Sequence, residues 1–356
     1  MSSGSTGPLA AARASEAPDR DALHSLCLAD PVWRERYDGW TELGRGATAI
    51  VVRTHSRALG EDVALKIFPA PFPEDAKRFQ EEVRNAQRLS SPCIVRVFSP
   101  FPRGSLAWIE MELVEGVTLR QELERRQAAG QAFTVKEALA IGEALAQALA
   151  AAHQAGVVHR DVKPANLLLT RHGSPVAKLG DFGVSRLAGA AALTRTGLLV
   201  GTPQFAAPEV IEGRAGGPPA DVYAMGHCLY LLLSGGGLPF VLGEGEQDSP
   251  LRWMRAHTDQ APIPLRSHRP DVPADLAELV AALLAKDARR RPTAAEVAAW
   301  LTARRAGAPP PRLGRGGGRG RHAAVLLAAL APAALLLALA VWQAPRGGRG
   351  AAATPP

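Results

Sequence analysis

A short polar run between two apolar segments constrains the fold of this chain more than any other feature. It reads H-R-D-V-K-P-A-N, occupies residues 159–166, and is followed fifteen residues after Asn166 by Asp181-Phe182-Gly183. The segments on either side, 155–158 and 167–169, are apolar and have the composition of buried strands. A polar loop between buried strands can hold charged side chains rigidly, so the sequence predicts a site built around this loop.

The spacing of these polar residues matches the pattern H-R-D-x-x-x-x-N followed by D-F-G, and the chain resembles the bacterial eukaryotic-like (Hanks-type) serine/threonine protein kinases. The resemblance implies an α+β, bilobal fold with a small β-rich N-lobe and a larger helical C-lobe. It also implies phosphoryl transfer from ATP with Mg²⁺, for which Mn²⁺ can substitute. The implied catalytic residues are Asp161, Lys163 and Asn166, and the implied metal ligands are Asn166 and Asp181.

Alternating apolar residues flank a glycine-rich stretch at residues 44–49, G-R-G-A-T-A, which predicts a strand, a loop and a second strand. A dinucleotide-binding loop would open a helix and a P-loop would end in Gly-Lys-Ser/Thr, and neither condition holds. The stretch instead resembles the kinase glycine-rich loop over the nucleotide phosphates, except that Ala49 occupies the third glycine position. We expect this methyl group to stiffen the loop and to alter nucleotide affinity slightly without abolishing binding.

The segment 75–89 has apolar residues at helical spacing, which predicts a helix with one buried face. Glu82 falls inside the apolar arc and Glu81 nearly opposite it. Lys66 matches the lysine that contacts the α and β phosphates, so we predict that it pairs with Glu82.

Residues 94–98 and 108–113 read as two further strands. By resemblance, Met111 is the gatekeeper beside the adenine pocket. The nucleotide-binding residues that the resemblance implies are Leu43, Gly44, Gly46, Ala49, Val51, Ala64, Lys66, Glu82, Met111 and Leu168.

Residues 184–209 correspond to the activation segment, which closes on Ala207-Pro208-Glu209. Thr194 and Thr196 are candidate phosphorylation sites, because a phosphate there could form charge-assisted hydrogen bonds with Arg160. By resemblance, Thr202 contacts the acceptor site.

Two interactions in the C-lobe are also implied by the resemblance. Asp221 should brace the backbone of the polar loop. Arg291 should form an ion pair with Glu209.

The resemblance covers residues 37–303 of the 356, with the N-lobe at 37–114 and the C-lobe at 115–303. Residues 1–36 are rich in Ala, Ser, Gly and charge and are predicted to be a disordered leader. The three cysteines are widely separated and odd in number, so neither a disulfide framework nor a cysteine zinc site is indicated.

The C-terminal part contains a basic Pro/Gly linker (304–322) and then twenty uncharged residues (323–342), enough to cross the ~30 Å hydrocarbon layer as a helix. The excess of arginine before this span predicts a single-pass membrane protein with a cytoplasmic kinase and a short external tail, 343–356. Pro332 weakens the span, and a peripheral hydrophobic tail is the alternative. Because the basic charge lies beside this apolar run, we expect a membrane partner and no nucleic acid. Alanines four residues apart would permit a homodimer.

The sequence therefore predicts a serine/threonine protein kinase that acts on proteins in bacterial signal transduction and phosphorylates its own activation loop. The alternative is a pseudokinase, a nucleotide-binding scaffold, for which Ala49 is the only support. The motifs G-T-P at 201–203 and A-P-E at 207–209 disfavour a small-molecule phosphotransferase.

Overall fold

The structure is a computed structural model and describes residues 20–46, 49–69, 76–103, 106–171, 176–182, 203–243 and 249–314. These residues form a β-rich N-terminal lobe and a larger helical C-terminal lobe. The bilobal α+β prediction is therefore confirmed.

The N-lobe is built on a five-stranded antiparallel sheet with the strand order β1-β2-β3-β5-β4. One face of this sheet carries a helix, whose residues Phe79 and Val83 pack against Phe68 and Ile109 of the sheet. The elements are β1 (Tyr37–Arg45), β2 (Ile50–Ser56), β3 (Glu61–Pro69), α3 (Ala76–Gln87), β4 (Val97–Arg103) and β5 (Leu106–Glu112).

Two further helices, α1 (Arg20–Ala29) and α2 (Pro31–Arg36), cover the opposite face of the sheet, and we call them the N-terminal cap. Trp33 is 2% exposed and its ring centroid lies 5.5 Å from that of Trp108 on β5. Asp30 begins α2, because its carboxylate accepts hydrogen bonds from the amides of Val32 and Trp33.

The prediction of a disordered leader over residues 1–36 is wrong for residues 20–36. These residues fold because Leu23, Cys27 and Trp33 bury apolar side chains on the sheet, and the burial offsets the loss of chain entropy. Residues 1–19 lie outside the described residues.

The C-lobe is helical around two buried helices, α5 and α7, which pack against each other. Gly226 of α7 allows α10 to approach, since a Cβ there would lie 2.7 Å from the Cβ of Leu283. The helices are α4 (Leu119–Ala128), α5 (Val135–Gln154), α6 (Pro208–Ile211), α7 (Pro218–Ser234), α8 (Pro250–Asp259), α9 (Leu265–His268), α10 (Ala274–Leu283) and α11 (Ala294–Arg305).

A small antiparallel sheet carries the polar loop and consists of β6 (Gly116–Thr118), β7 (Leu167–Thr170) and β8 (Ala177–Leu179). The loop enters β7 through a 3₁₀ turn at Pro164–Asn166. The predicted strand after the loop is thus confirmed. Residues 155–158 form no strand, because Ala155 caps the end of α5 and the chain turns there through Gly156 with φ 75°.

Arg291 and Glu209 form the predicted ion pair, in which the two terminal guanidinium nitrogens, Nη1 and Nη2, donate to the carboxylate at 2.7 and 2.8 Å. The Arg291 side chain is fully buried and also donates to the backbone carbonyls of Ala285 and Pro219, each at 2.8 Å. These bonds tie the end of the activation segment to the segment before α11.

The chain beyond α11 is described only as far as Gly314. Leu313, within the predicted linker, packs against the C-lobe core. Within the described residues, no helix combines the length and the apolar character that crossing a membrane requires. The predicted span, 323–342, lies outside the described residues.

We predict that the N-terminal cap stabilises the fold of the N-lobe. Trp33→Ala should lower the free energy of unfolding by about 3–5 kcal/mol, because it removes a buried ring from the contact with Trp108. The control is Leu28→Ala in the same cap, since Leu28 is 50% exposed. Equal unfolding free energies for the two variants in chemical denaturation would contradict a packed cap.

We also predict that Arg291→Met lowers the free energy of unfolding by about 3–5 kcal/mol, because it leaves the buried Glu209 carboxylate without its counter-charge. Arg290→Met is the matched control, as the Arg290 side chain is 81% exposed and 3.9 Å from Asp287. Denaturant titrations of both variants measure the difference. A loss of less than about 1 kcal/mol for Arg291→Met, within the range of surface pairs, would show that this pair does not anchor the segment.

Candidate active site

One buried carboxylate holds the backbone of the polar loop. Asp221, near the start of α7, is 1% exposed and accepts hydrogen bonds from the amides of His159 and Arg160, each at 2.8 Å. The imidazole of His153, at the end of α5, lies 2.8 Å from the same carboxylate. The predicted brace is confirmed, and His153 adds a partner that the sequence analysis did not predict.

The backbone of the site is strained at two positions. Arg160 has φ 66° and Asp181 has φ 62°, and they are the only non-glycine residues with positive φ in the part of the chain that the structure describes. Such conformations cost about 1–3 kcal/mol each and persist where surrounding bonds impose them. Here the hydrogen bonds that the His159 and Arg160 amides donate to Asp221 hold Arg160 in this conformation.

His159 connects the two motifs of the site. Its Nε2 lies 2.7 Å from the Gly180 carbonyl, which can only accept, so Nε2 carries the proton. Its Nδ1 accepts from the amide of Asp161 at 3.2 Å, and its ring packs edge-on against Phe182 at 4.5 Å. The side chain therefore fixes Asp161 and the segment before Asp181 relative to each other.

The three predicted catalytic side chains are in contact. Lys163 Nζ lies 2.8 Å from Asp161 Oδ2, and the amide nitrogen of Asn166 donates to the same oxygen at 3.0 Å and to the Asp161 carbonyl at 2.8 Å. Asn166 is buried, whereas Asp161 and Lys163 keep 31% and 26% of their side chains exposed. A polarised carboxylate is thus presented at the surface of the loop.

Lys66 of β3 pairs with Asp181, with Nζ 2.8 Å from Oδ2. Burial by itself would raise the pKa of Asp181, but the charge and hydrogen bond of Lys66, with smaller contributions from His159 and Lys163, hold that pKa below its usual value. Asp181 is therefore a carboxylate at neutral pH.

The predicted pair between Lys66 and Glu82 is not formed. Glu82 is half-buried and Glu81 is exposed, so the predicted orientation of α3 is correct. The lysine instead reaches across to Asp181, whose carboxylate the left-handed backbone brings within hydrogen-bonding distance of Nζ.

The predicted nucleotide pocket is assembled by the register of the sheet. Val51 lies opposite Lys66 and Ala64 lies opposite Met111, so these four side chains share one face. Leu43 and Gly44 on β1 are exposed, and Leu168 lies on β7. A narrow cavity beside the Lys66–Asp181 pair is lined by Lys66, Val95, Val97, Ile109, Met111, Asp181 and Phe182.

Ala49 occupies its unusual position for a packing reason. It is 3% exposed and its methyl group lies in the cluster with Phe79 and Val83 of α3. Its carbonyl accepts from the amide of Gly46 at 2.9 Å, which closes the glycine-rich loop. The methyl group therefore contacts the N-lobe core.

A second ion pair near the site was also not predicted. Lys178 of β8 contacts Glu112 at 2.5 Å, and the other oxygen of Glu112 accepts from the amide of Arg96 at 3.2 Å. This pair links the end of β5 to the strand that precedes Asp181. A lysine three residues before the D-F-G motif, in an otherwise apolar strand, is the signal that could have indicated it.

The donor set fits a magnesium nucleotide. The side-chain nitrogen of Asn166 donates to Asp161, so its side-chain oxygen is left to coordinate a cation. The Asp181 carboxylate is the second candidate ligand. Mg²⁺ needs few protein ligands when phosphate oxygens complete its shell, and no cluster of three or more His, Cys, Asp or Glu suited to a metal occurs in the described ranges. Thr194, Thr196 and Thr202 lie outside the described residues.

Residues 37–300 match the protein kinase domain family, and the chain belongs to that family. It is 35% identical over 286 residues to the serine/threonine-protein kinase PknB of Mycobacterium tuberculosis, covering 78% of this chain and 44% of PknB. It is also 35% identical over 276 residues to PknL of Mycobacterium bovis, covering 76% of this chain and 65% of PknL. The chain thus spans less than half the length of the PknB relative.

Among solved structures, the crystal structure of the M. tuberculosis PknI kinase domain is similar with a TM-score of 0.57 and 29% identity. The match covers 75% of this chain and 96% of that chain. The N-terminal cap precedes the family match, which begins at Tyr37.

Proposed function

We propose that this protein is a serine/threonine protein kinase that transfers the γ-phosphoryl group of MgATP to protein hydroxyls. The observation that carries the proposal is the contact of Asp161 with both Lys163 and Asn166 on a loop whose backbone Asp221 fixes. The relatives named serine/threonine-protein kinases support the same activity.

Each side chain has a role that follows from its chemistry. Asp161 orients the acceptor hydroxyl and accepts its proton, since its carboxylate is partly exposed and held by two donors. Lys163 neutralises charge on the transferring group. Asn166 and Asp181 would hold Mg²⁺, and Lys66 would bind the nucleotide phosphates. Magnesium held by Asn166 and Asp181 would supply positive charge that offsets the negative charge developing on the transferring phosphate.

The rival function, a pseudokinase scaffold, loses its one support. Ala49 was the only departure from the catalytic pattern, and its methyl group packs into the N-lobe core beside Phe79. The loop keeps the Gly46–Ala49 backbone bond that shapes it.

We further propose regulation through Thr194 and Thr196. The Arg160 side chain is exposed next to Asp161 and could pair with a phosphothreonine. We also propose that residues 323–342 span the cell membrane with the kinase on the cytoplasmic side, supported by the twenty uncharged residues and the arginines that precede them.

The function is tested by incubating the chain with labelled MgATP beside an Asp161→Asn variant. We expect transfer to the chain itself, with label on Thr194 or Thr196, and to a generic protein acceptor. Loss of the base should slow transfer by about 10²–10⁴-fold. Phosphopeptide mapping and initial rates measure both effects.

Asp271→Asn serves as the control, because this carboxylate is 63% exposed and, in the described structure, its ion-pair partner is Arg269, which has no part in the proposed chemistry. It should leave the rate unchanged. Thermal stabilisation by MgATP without any phosphoryl transfer would contradict the proposal and favour the pseudokinase.

A further inference from the structure

A turn near the end of the activation segment rests on a buried cluster of aromatic rings and histidines. The turn is a 3₁₀ turn at Pro203–Phe205, and it contacts α7 and α8. His227 of α7 and His257 of α8 are both 0% exposed. Neither histidine has a role in the chemistry proposed above, so their presence beneath the turn needs another explanation.

His257 holds the turn through a directed chain of hydrogen bonds. Its Nε2 lies 2.9 Å from the carbonyl oxygen of Gln204, and its Nδ1 lies 2.8 Å from the hydroxyl of Tyr223. The carbonyl can only accept, so Nε2 carries the ring proton. In a neutral ring Nδ1 then accepts, and the Tyr223 hydroxyl must donate to it.

The surroundings keep His257 and Tyr223 each in one protonation state. Burial lowers the pKa of His257 to about 3; the bond to Gln204 opposes that shift, and the positive charge of Lys286 adds to it. Burial also raises the pKa of Tyr223, so its hydroxyl keeps its proton. At neutral pH the direction of both hydrogen bonds is therefore fixed.

Neighbouring side chains restrain the same cluster. Lys286 Nζ donates to the carbonyls of Ala256 and His257 at 3.2 and 2.5 Å, which fixes the last turn of α8. The ring of His227 lies 4.7 Å from that of Phe205 and 5.6 Å from that of His257. Thus His257 holds the backbone of the turn at Gln204, and His227 packs against the side chain of Phe205.

The same helix also holds the catalytic loop. Asp221, two residues before Tyr223 on α7, bonds the amides of His159 and Arg160. The loop that carries Asp161 and the turn at Gln204 are therefore both attached to the N-terminal part of α7. A shift of the turn would change its position relative to the loop that carries Asp161.

We infer that His257 is a positioning residue for the protein acceptor, because it fixes the turn at Gln204 relative to the loop that carries Asp161. This inference rests on the proposed kinase function, in which Asp161 orients the acceptor hydroxyl, and on the family resemblance, from which Thr202 is expected to contact the acceptor site. The hydrogen bond should therefore affect the binding of the acceptor and not the binding of ATP.

The test compares His257→Leu with His257→Gln in the full chain, using casein as the acceptor. Leucine removes both hydrogen bonds. We expect the loss of the bond to Gln204 to raise the KM for casein about five-fold, with an unchanged KM for ATP. Glutamine offers a donor for the Gln204 carbonyl and an acceptor for Tyr223, so it should restore the KM for casein. His268→Leu, at an exposed histidine of α9, is the control.

Two further measurements test whether His257 holds the turn. Tyr223→Phe removes the donor to Nδ1 but leaves the ring in place, and should raise the KM for casein by about two-fold. Amide hydrogen exchange of residues 204–207 should be faster in His257→Leu than in His257→Gln, whether or not the chain is active.

An equal rise in both KM values, equal kinetics for the leucine and glutamine variants, or unchanged exchange of the turn would overturn the inference. A wild-type chain that transfers no phosphate would overturn the proposed function and the acceptor role with it. The exchange measurement would then still report whether His257 holds the turn.

Discussion

The hydrogen bonds that the amides of His159 and Arg160 donate to the Asp221 carboxylate are the constraint on which the rest of the site depends. Bonds to a charged acceptor contribute about 1.5–3 kcal/mol each, whereas the left-handed conformation of Arg160 costs about 1–3 kcal/mol. The two bonds together exceed the strain, so the loop can keep a conformation that it would not adopt alone. Asp161 is thereby presented on a backbone that is already ordered, and little reorganisation is needed when an acceptor binds.

Helix α7 acts as a common frame for parts of the chain that are far apart in sequence. Its first turns hold the catalytic loop through Asp221 and the turn at Gln204 through Tyr223 and His257. The buried guanidinium of Arg291 lies 4.8 Å from the Tyr223 ring while it pairs with Glu209. A rigid helix with several buried partners can place the Asp161 loop and the turn at Gln204 without a direct bond between them.

The loop and most strands of the sheet could be predicted, because contiguous motifs and alternating apolar residues are local signals, whereas the Arg291–Glu209 ion pair was implied only by the family resemblance. Pairings between distant residues were harder to predict from the sequence, because the direction of a side chain depends on packing. Lys66, for example, pairs with Asp181 and not with the predicted Glu82. The strand predicted at 94–98 lies at Val97–Arg103, since an edge strand tolerates Pro100 and Pro102. The N-terminal cap was not predicted, because the Ala-, Ser-, Gly- and charge-rich composition of residues 1–36 is typical of disorder and outweighs the single helix-start signal at Asp30-Pro31.

Hydrogen exchange at the catalytic loop tests the central claim most directly. In Asp221→Asn one acceptor oxygen is replaced by an amide nitrogen, so the amides of His159 and Arg160 should exchange about ten-fold faster, while residues 22–36 of the cap exchange as in the wild type. Asp275→Asn, which removes a carboxylate paired with Arg304 in the C-lobe, should change neither region. Unchanged exchange at His159 and Arg160 in the Asp221 variant would contradict the claim that this carboxylate fixes the loop.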